Sequence, residues 1–301
     1  METLRGALEP SASNSQTLYY GLQPLILVSA LSYWLLNPSS EFTYILIILA
    51  VQLVLGILEH WRPARLTWVI HARQKCLNIV LVVVLVNVSF MFGVYYESIL
   101  SPPLNFVREQ LGIDFWPHHW PLIFQVFLAF LCSEFIWYWL HRAEHRWQVI
   151  WRVSGHGAHH AFKQLNALNF GLNHPLESLV LLLPSLIVEV LFGVGIASAG
   201  ATVLVVIQAS IAHANLSLNS SLIGLVFTTN TYHIRHHSSV LEESNTNYGC
   251  AAIIWDRIFG TFADSKALDV GIGPTEPTLW EKFLMPLKEP IDSAVAPKGY
   301  D

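Results

Sequence analysis

The chain has 301 residues, 53% of them hydrophobic and only 12% charged, with a mean hydropathy of +0.46 and a formal net charge of −5. A soluble domain carries about 25% charged residues, so the composition predicts an integral membrane protein. The acidic balance, with no basic stripe, excludes a nucleic-acid binder. The three scattered cysteines (Cys76, Cys132 and Cys250) form no CxxC pair and exclude a disulfide framework and an iron–sulfur site.

The first residues, Met1 to Thr17, are polar and lack the basic region and cleavage site of a signal peptide. Apolar runs follow near 22–36, 42–58, 77–96, 120–140, 176–192 and 197–212. A membrane span needs about 20 apolar residues. The run from Leu77 to Tyr96 meets this cleanly, whereas Asn37-Pro38 cuts the first one short. The last two runs form a hairpin with its tip near Gly193 to Ser198, and Leu222 to Phe227 is too brief to span.

Segments 59–75 and 141–175 each hold four arginines and lysines, while a loop at 97–117 holds only Arg108. The positive-inside rule places the first two in the cytoplasm. Six spans then put both termini there. The tail beyond about 264 reads as a cytoplasmic cap or loose end.

Three histidine clusters fall on that same side: His141-Arg-Ala-Glu-His145, His156-Gly-Ala-His159-His160 and His233-Ile-Arg-His236-His237. Imidazoles three or four residues apart share a helix face, and adjacent ones diverge enough to serve two ions. Eight such ligands exceed the four of a structural zinc and suit two metals with open positions. His174 and His213, at the cytoplasmic ends of the last hairpin, are further candidate ligands. His60, His71, His118 and His119 are expected at the interface. The order His-x-x-Glu-His is not the zinc-protease order, which disfavours hydrolysis. Glu134 shares the face of His141 inside a span, where an unpaired carboxylate is costly. It is the candidate catalytic carboxylate, expected to accept a hydrogen bond from a ligand imidazole, with direct ligation as the alternative. Glu177 could do the same for His174. Trp137, Trp139, Trp147 and Trp151 flank the clusters, either lining a substrate slot or anchoring the interface.

The run Trp137-Tyr138-Trp139-Leu140-His141-Arg142-x-x-His145, with Trp151-x-x-x-x-His156-x-x-His159-His160, resembles the fatty acid hydroxylase / sterol desaturase superfamily. So do His174-Pro175-Leu176-Glu177, His213-Ala-Asn215, His233-x-x-His236-His237, Asn247-Tyr248-Gly249 and Trp255-Asp256-Arg257-Ile258-Phe259-Gly260-Thr261. The resemblance implies a membrane-embedded diiron centre that activates O2 against an unactivated C–H bond. It carries the eight cluster histidines over as ligands, with His213 and His174 as extras. Ala161 stands where many members have Ser.

The expected fold is therefore an all-α integral membrane protein, a bundle of about four to six transmembrane helices under a cytoplasmic, histidine-rich dimetal cap. Residues 1–301 read as one membrane domain, with N-terminal spans at 22–116, a catalytic core at 117–262 and a tail at 263–301. The expected function is hydroxylation of a lipid by two non-haem iron ions and O2. A desaturase with the same site is the close alternative, and a metal transporter or haem-binding membrane protein the remote one. With no haem, flavin or cysteine motif of its own, the chain calls for a separate electron donor, a ferredoxin or a cytochrome b5 with its reductase. Basic loops at Arg65, Arg142, Arg146 and Arg152 would suit an acidic donor or simply set topology. A bacterial inner membrane or the endoplasmic reticulum is the expected location.

Overall fold

A computed structural model describes residues 16–219 and 221–288. The helices, in chain order, are α1 (Gln16–Leu36), α2 (Glu41–Trp61), α3 (Ala72–Leu111), α4 (Leu122–Arg146), α5 (Gln148–Ser154), α6 (His156–His160), α7 (Glu177–Phe192), α8 (Ala197–His213), α9 (Asn230–His236), α10 (Leu241–Ser244), α11 (Ile254–Phe259) and α12 (Leu279–Leu284). Among the described residues there is no strand beyond an isolated bridge between Ser238 and Val270. Long apolar segments become helices because hydrocarbon offers no partner for the backbone, and a helix satisfies its own N–H and C=O groups.

Among the described residues, three helices are long and apolar enough to cross a membrane: Phe42–Trp61, Ala72–Leu111 and Leu122–Arg146. At about 1.5 Å per residue, α7 and α8 run only ~24–26 Å, short of the ~30 Å hydrocarbon core. The largest departure from the sequence reading is α3. The segment from 97, expected as a loop, stays helical through Pro102 and Pro103 until Gly112 closes it in the left-handed region (φ 60°). Its 40 residues make a helix of about 60 Å, twice the hydrocarbon thickness, so its last turns must leave the apolar layer. Pro-Pro is tolerated because each ring removes one helix hydrogen bond without stopping the turns on either side. Along α3 the side chains of Val80, Val83, Phe90, Met91 and Val94 are exposed, as a lipid-facing helix requires.

The middle of the bundle is α4, which packs on α7, α8 and α11, while α8 also meets α1 and α2, and α3 lies along α7. The core joins Trp34 of α1, Leu55 of α2, Val126 and Phe130 of α4, and Leu204 and Ile207 of α8. Close approach depends on small residues in α8. A Cβ on Gly200 would lie 2.6 Å from Val126 and 2.7 Å from Trp34. Gly200→Leu overpacks this contact and is expected to cost about 1–3 kcal/mol. It would lower the thermal unfolding midpoint in detergent, and an unchanged midpoint would contradict the close approach of the three helices.

Candidate metal centre

One of the three helices long and apolar enough to cross a membrane also builds the site. α4 continues beyond its apolar stretch, so that Glu134, Tyr138, His141 and His145 are all buried on one face. Gly155, in the left-handed region at φ 76°, turns the chain from α5 into the short α6, which carries His156, His159 and His160. α8 ends on His213, and α9 carries His233 and His236, with His237 at its cap.

These nine imidazoles fall into two buried groups. His141, His145, His156, His160 and His236 form one, and His159, His213, His233 and His237 the other. The adjacent pairs 159/160 and 236/237 divide between the groups, so α6 and α9 serve both. Within the first group Nε2 of His141 lies 3.0 Å from Nε2 of both His156 and His236, and His145 Nε2 lies 3.1 Å from His156 Nε2. In the second, His213 Nε2 is 3.2 Å from that of His159 and 3.1 Å from that of His233, and His237 Nε2 is 3.1 Å from His233 Nε2.

The outward nitrogens decide what these contacts are. Nδ1–H of His141 donates to the Tyr248 carbonyl (2.6 Å), that of His236 to the Thr246 carbonyl (3.0 Å) and that of His213 to the Ala209 carbonyl (2.8 Å). His156 Nδ1–H donates to Oε1 of Glu177 (2.7 Å), with Oε2 of Glu144 3.6 Å away. A carbonyl only accepts, so Nδ1 holds the proton and Nε2 of a neutral ring presents a lone pair. Burial, and then the neighbouring imidazoles, hold His156, His159, His160, His233 and His237 well below the ordinary imidazole pKa. Burial does the same to His236, so these rings are neutral at pH 7. His141 and His236 therefore point two bare lone pairs at each other across 3.0 Å, which repel unless a cation lies between them. An ion ~2.1 Å from each nitrogen, with its ligands at right angles, would set them about 3.0 Å apart. An all-imidazole donor set suits iron, copper, zinc or nickel. Both groups fit metal.

One loop holds two of these rings. Asn247 sits in the left-handed region (φ 58°), and the carbonyls on either side of it, Thr246 and Tyr248, accept from His236 and His141. Asn247 Nδ2 donates to the Tyr232 and Ala263 carbonyls. Asp256 takes the amides of Tyr248 and Gly249, both at 2.7 Å, and the Thr261 hydroxyl.

Residues 126–261 match the fatty acid hydroxylase family profile. Over that segment the chain carries a fatty acid hydroxylase domain. It is 32% identical over 193 residues to the ornithine lipid hydroxylase OlsE of Rhizobium tropici, covering 62% of this chain and 55% of that protein. It is 28% identical to the alkylglycerol monooxygenase of Danio rerio, covering 54% and 39%. It is 27% identical to a very-long-chain aldehyde decarbonylase of Oryza sativa subsp. indica, covering 65% and 73%. The chain thus spans about half, or less, of the length of the first two relatives. No solved structure matches it. The hydroxylase-family segment contains every one of the nine clustered histidines.

Two of the expected site residues stand elsewhere. His174 Nδ1 accepts the Leu176 amide (3.1 Å), and its Nε2–H donates to the Phe283 carbonyl (3.0 Å). A neutral ring with one nitrogen accepting and the other donating has no lone pair left for a metal. His174 instead packs on Gly155, where a Cβ would come within 2.5 Å of the ring, and clasps α12 to the α5–α6 turn. Glu134 touches no imidazole; its Oε2 accepts the amides of Ala251 (3.0 Å) and Ala252 (3.1 Å). The carboxylate on a clustered imidazole is Glu177, on His156 rather than on His174. Glu144 was missed, although its place beside His145 in a helix with two inward histidines was a signal. Of the tryptophans, Trp137 and Trp151 are buried against clustered histidines, while Trp139 and Trp147 are exposed. His60, His71, His118 and His119 are exposed and outside both groups.

Loss of a carboxylate that orients a metal-bound imidazole weakens metal binding about 10–100-fold. Glu177→Gln is expected to do this in a chelator competition, whereas His174→Ala should leave metal affinity intact and lower only thermal stability. Equal metal affinity in wild type and Glu177→Gln would contradict the role given to Glu177.

Proposed function

We propose that the chain is a membrane-bound, non-haem diiron oxidoreductase that hydroxylates an unactivated C–H bond of a polar membrane lipid. The observation that carries this is the split of nine buried, neutral imidazoles into groups of five and four at the end of a membrane-crossing helix. His141, His145, His156, His160 and His236 would hold one iron, and His159, His213, His233 and His237 the other. When bound, the iron pair supplies O2 activation and hydrogen abstraction from the lipid.

The chain's own residues do the rest. The Thr246, Tyr248 and Ala209 carbonyls and Glu177 hold the Nδ1 protons of His236, His141, His213 and His156, and so keep those four Nε2 atoms free and aimed inward. That fixed outer ring holds ligand geometry without reorganisation during turnover. The apolar helices exclude water from the chemistry and bring the lipid to the site in its own solvent. The lipid class follows the relatives, one acting on an ornithine lipid and one on alkylglycerols by their names. In this reading the protein is multi-pass, with α1, α7 and α8 partly or wholly inserted. The metal centre and both termini lie on the cytoplasmic side, in a bacterial inner membrane or the endoplasmic reticulum. Electrons come from a separate ferredoxin or cytochrome b5 with its reductase. The ligands gather in the cap rather than near the midplane of broken helices, which favours an enzyme over a transporter.

The test compares lipid extracts, by mass spectrometry, from cells making the wild type and cells making His159→Ala. A lipid gaining one oxygen in the wild type alone is expected. A loss of two hydrogens would instead make the protein a desaturase. An unaltered lipid profile from iron-loaded protein supplied with a donor would contradict both.

A further inference from the structure

Beside the metal centre, and separate from it, lies a cavity of about 290 Å³ walled by α5, α6, the 272–277 segment and α12 with the turn beyond it. Its rim is exposed at Pro274, Thr275, Glu281 and Lys288, and its floor is buried at Trp151, Gly155 and Gly157. No histidine lines it. Trp151 is the wall between the two spaces. One side of the indole faces the cavity, and its ring centroid lies 5.1 Å from that of His145, 5.0 Å from His156 and 5.3 Å from His160. All three belong to the group of five. Gly157 is what lets the indole sit there, since a Cβ at that position would lie 2.9 Å from Trp151 Nε1.

The charges around the cavity are unequal in availability. Glu276 accepts Lys282 Nζ (2.8 Å) and the Lys163 amide, and Glu281 closes the capping box of α12 with Thr278. Arg152 and Lys288 make no ion pair among the described residues, and Arg152 Nε is buried without a hydrogen-bond partner. The mouth therefore carries Arg152, which has no ion pair among the described residues, and Lys288, which shares the rim with the exposed carboxylate of Glu281, above a recess floored by an aromatic ring in contact with three clustered imidazoles.

We propose that this recess is the docking site of an acidic one-electron donor protein, and that Trp151 is the relay through which its electrons reach the metal centre. The proposal rests on the diiron reading. In each docking event the donor's iron–sulfur or haem centre would give up one electron, which the iron held by the clustered imidazoles would take up. Two events supply the electron pair that, with two protons, converts one atom of O2 to water while the other enters the lipid. Arg152 and Lys288 steer the donor, so their effect falls on its affinity and salt dependence. Trp151 acts after docking, on the rate within the complex.

The test uses the full-length protein, iron-loaded in detergent, mixed in stopped flow with reduced plant-type ferredoxin, an acidic one-electron carrier. Reduced methyl viologen is the small cationic control. Reversing Arg152→Glu and Lys288→Glu together is expected to weaken ferredoxin affinity about tenfold or more and flatten its salt dependence. Metal content and reduction by viologen should not change. Trp151→Leu is expected to slow reduction within the complex severalfold at unchanged affinity, with iron per chain counted alongside, and Trp151→Phe to keep most of the rate. Wild-type affinity in the charge-reversed protein, or wild-type speed in an iron-replete Trp151→Leu protein, would overturn the proposal. A protein that takes up no iron that viologen can reduce would overturn the diiron reading itself, and this proposal with it.

Discussion

Bare imidazole lone pairs held face to face in a dry interior repel one another, and everything else in this structure is arranged around that fact. Hydrogen bonds to backbone carbonyls and to Glu177 fix the Nδ1 protons of four rings, so their Nε2 atoms cannot donate to each other. Burial disfavours the imidazolium that would relieve the conflict by protonation. What remains is a cation. Two groups that each fit one, built on shared helices, fit a dimetal site.

The fold delivers this by continuity. α4 carries hydrophobic residues through the apolar layer and then, on the same face, His141 and His145. α8 does the same with His213 at its end. Between them the loop around Asn247 supplies two carbonyls, and Glu134 pins the following amides of Ala251 and Ala252 to α4. The first helices take part as well. Glu59 of α2, buried, accepts the amides of Ala167 and Asn215, both at 2.8 Å, and so ties the turn after His213 to the N-terminal helices. α2, which carries no clustered histidine, is thus bonded directly to the segment that follows His213.

Much of this was legible in the sequence. Each of the six apolar runs lies in a helix, because hydropathy and the ban on unsatisfied backbone in lipid leave no other choice. The histidine spacing gave both the inward faces and the divergence of adjacent rings, and nine of the ten expected ligands meet in two groups. The rest depended on tertiary placement. Helix-face reasoning aimed Glu134 at His141, but the amides of Ala251 and Ala252 arrive from a loop more than a hundred residues away and take it first. His174 sits at a helix start beside the clusters, yet the Phe283 carbonyl, equally remote in sequence, claims its second nitrogen. Segment 97–117, lying between two apolar runs, read as a loop, whereas the helix runs on through Pro102 and Pro103 to Gly112 because nothing stops it before that glycine.

The most direct measurement is Mössbauer spectroscopy of the full-length protein, purified in detergent from cells grown on isotopically enriched iron, with iron counted per chain. Five imidazoles on one side and four on the other are expected to give two iron ions per chain and two distinct high-spin signals of equal area. A single iron per chain, or iron lost on one gel-filtration step with the helices still folded, would contradict the dimetal centre on which the account stands.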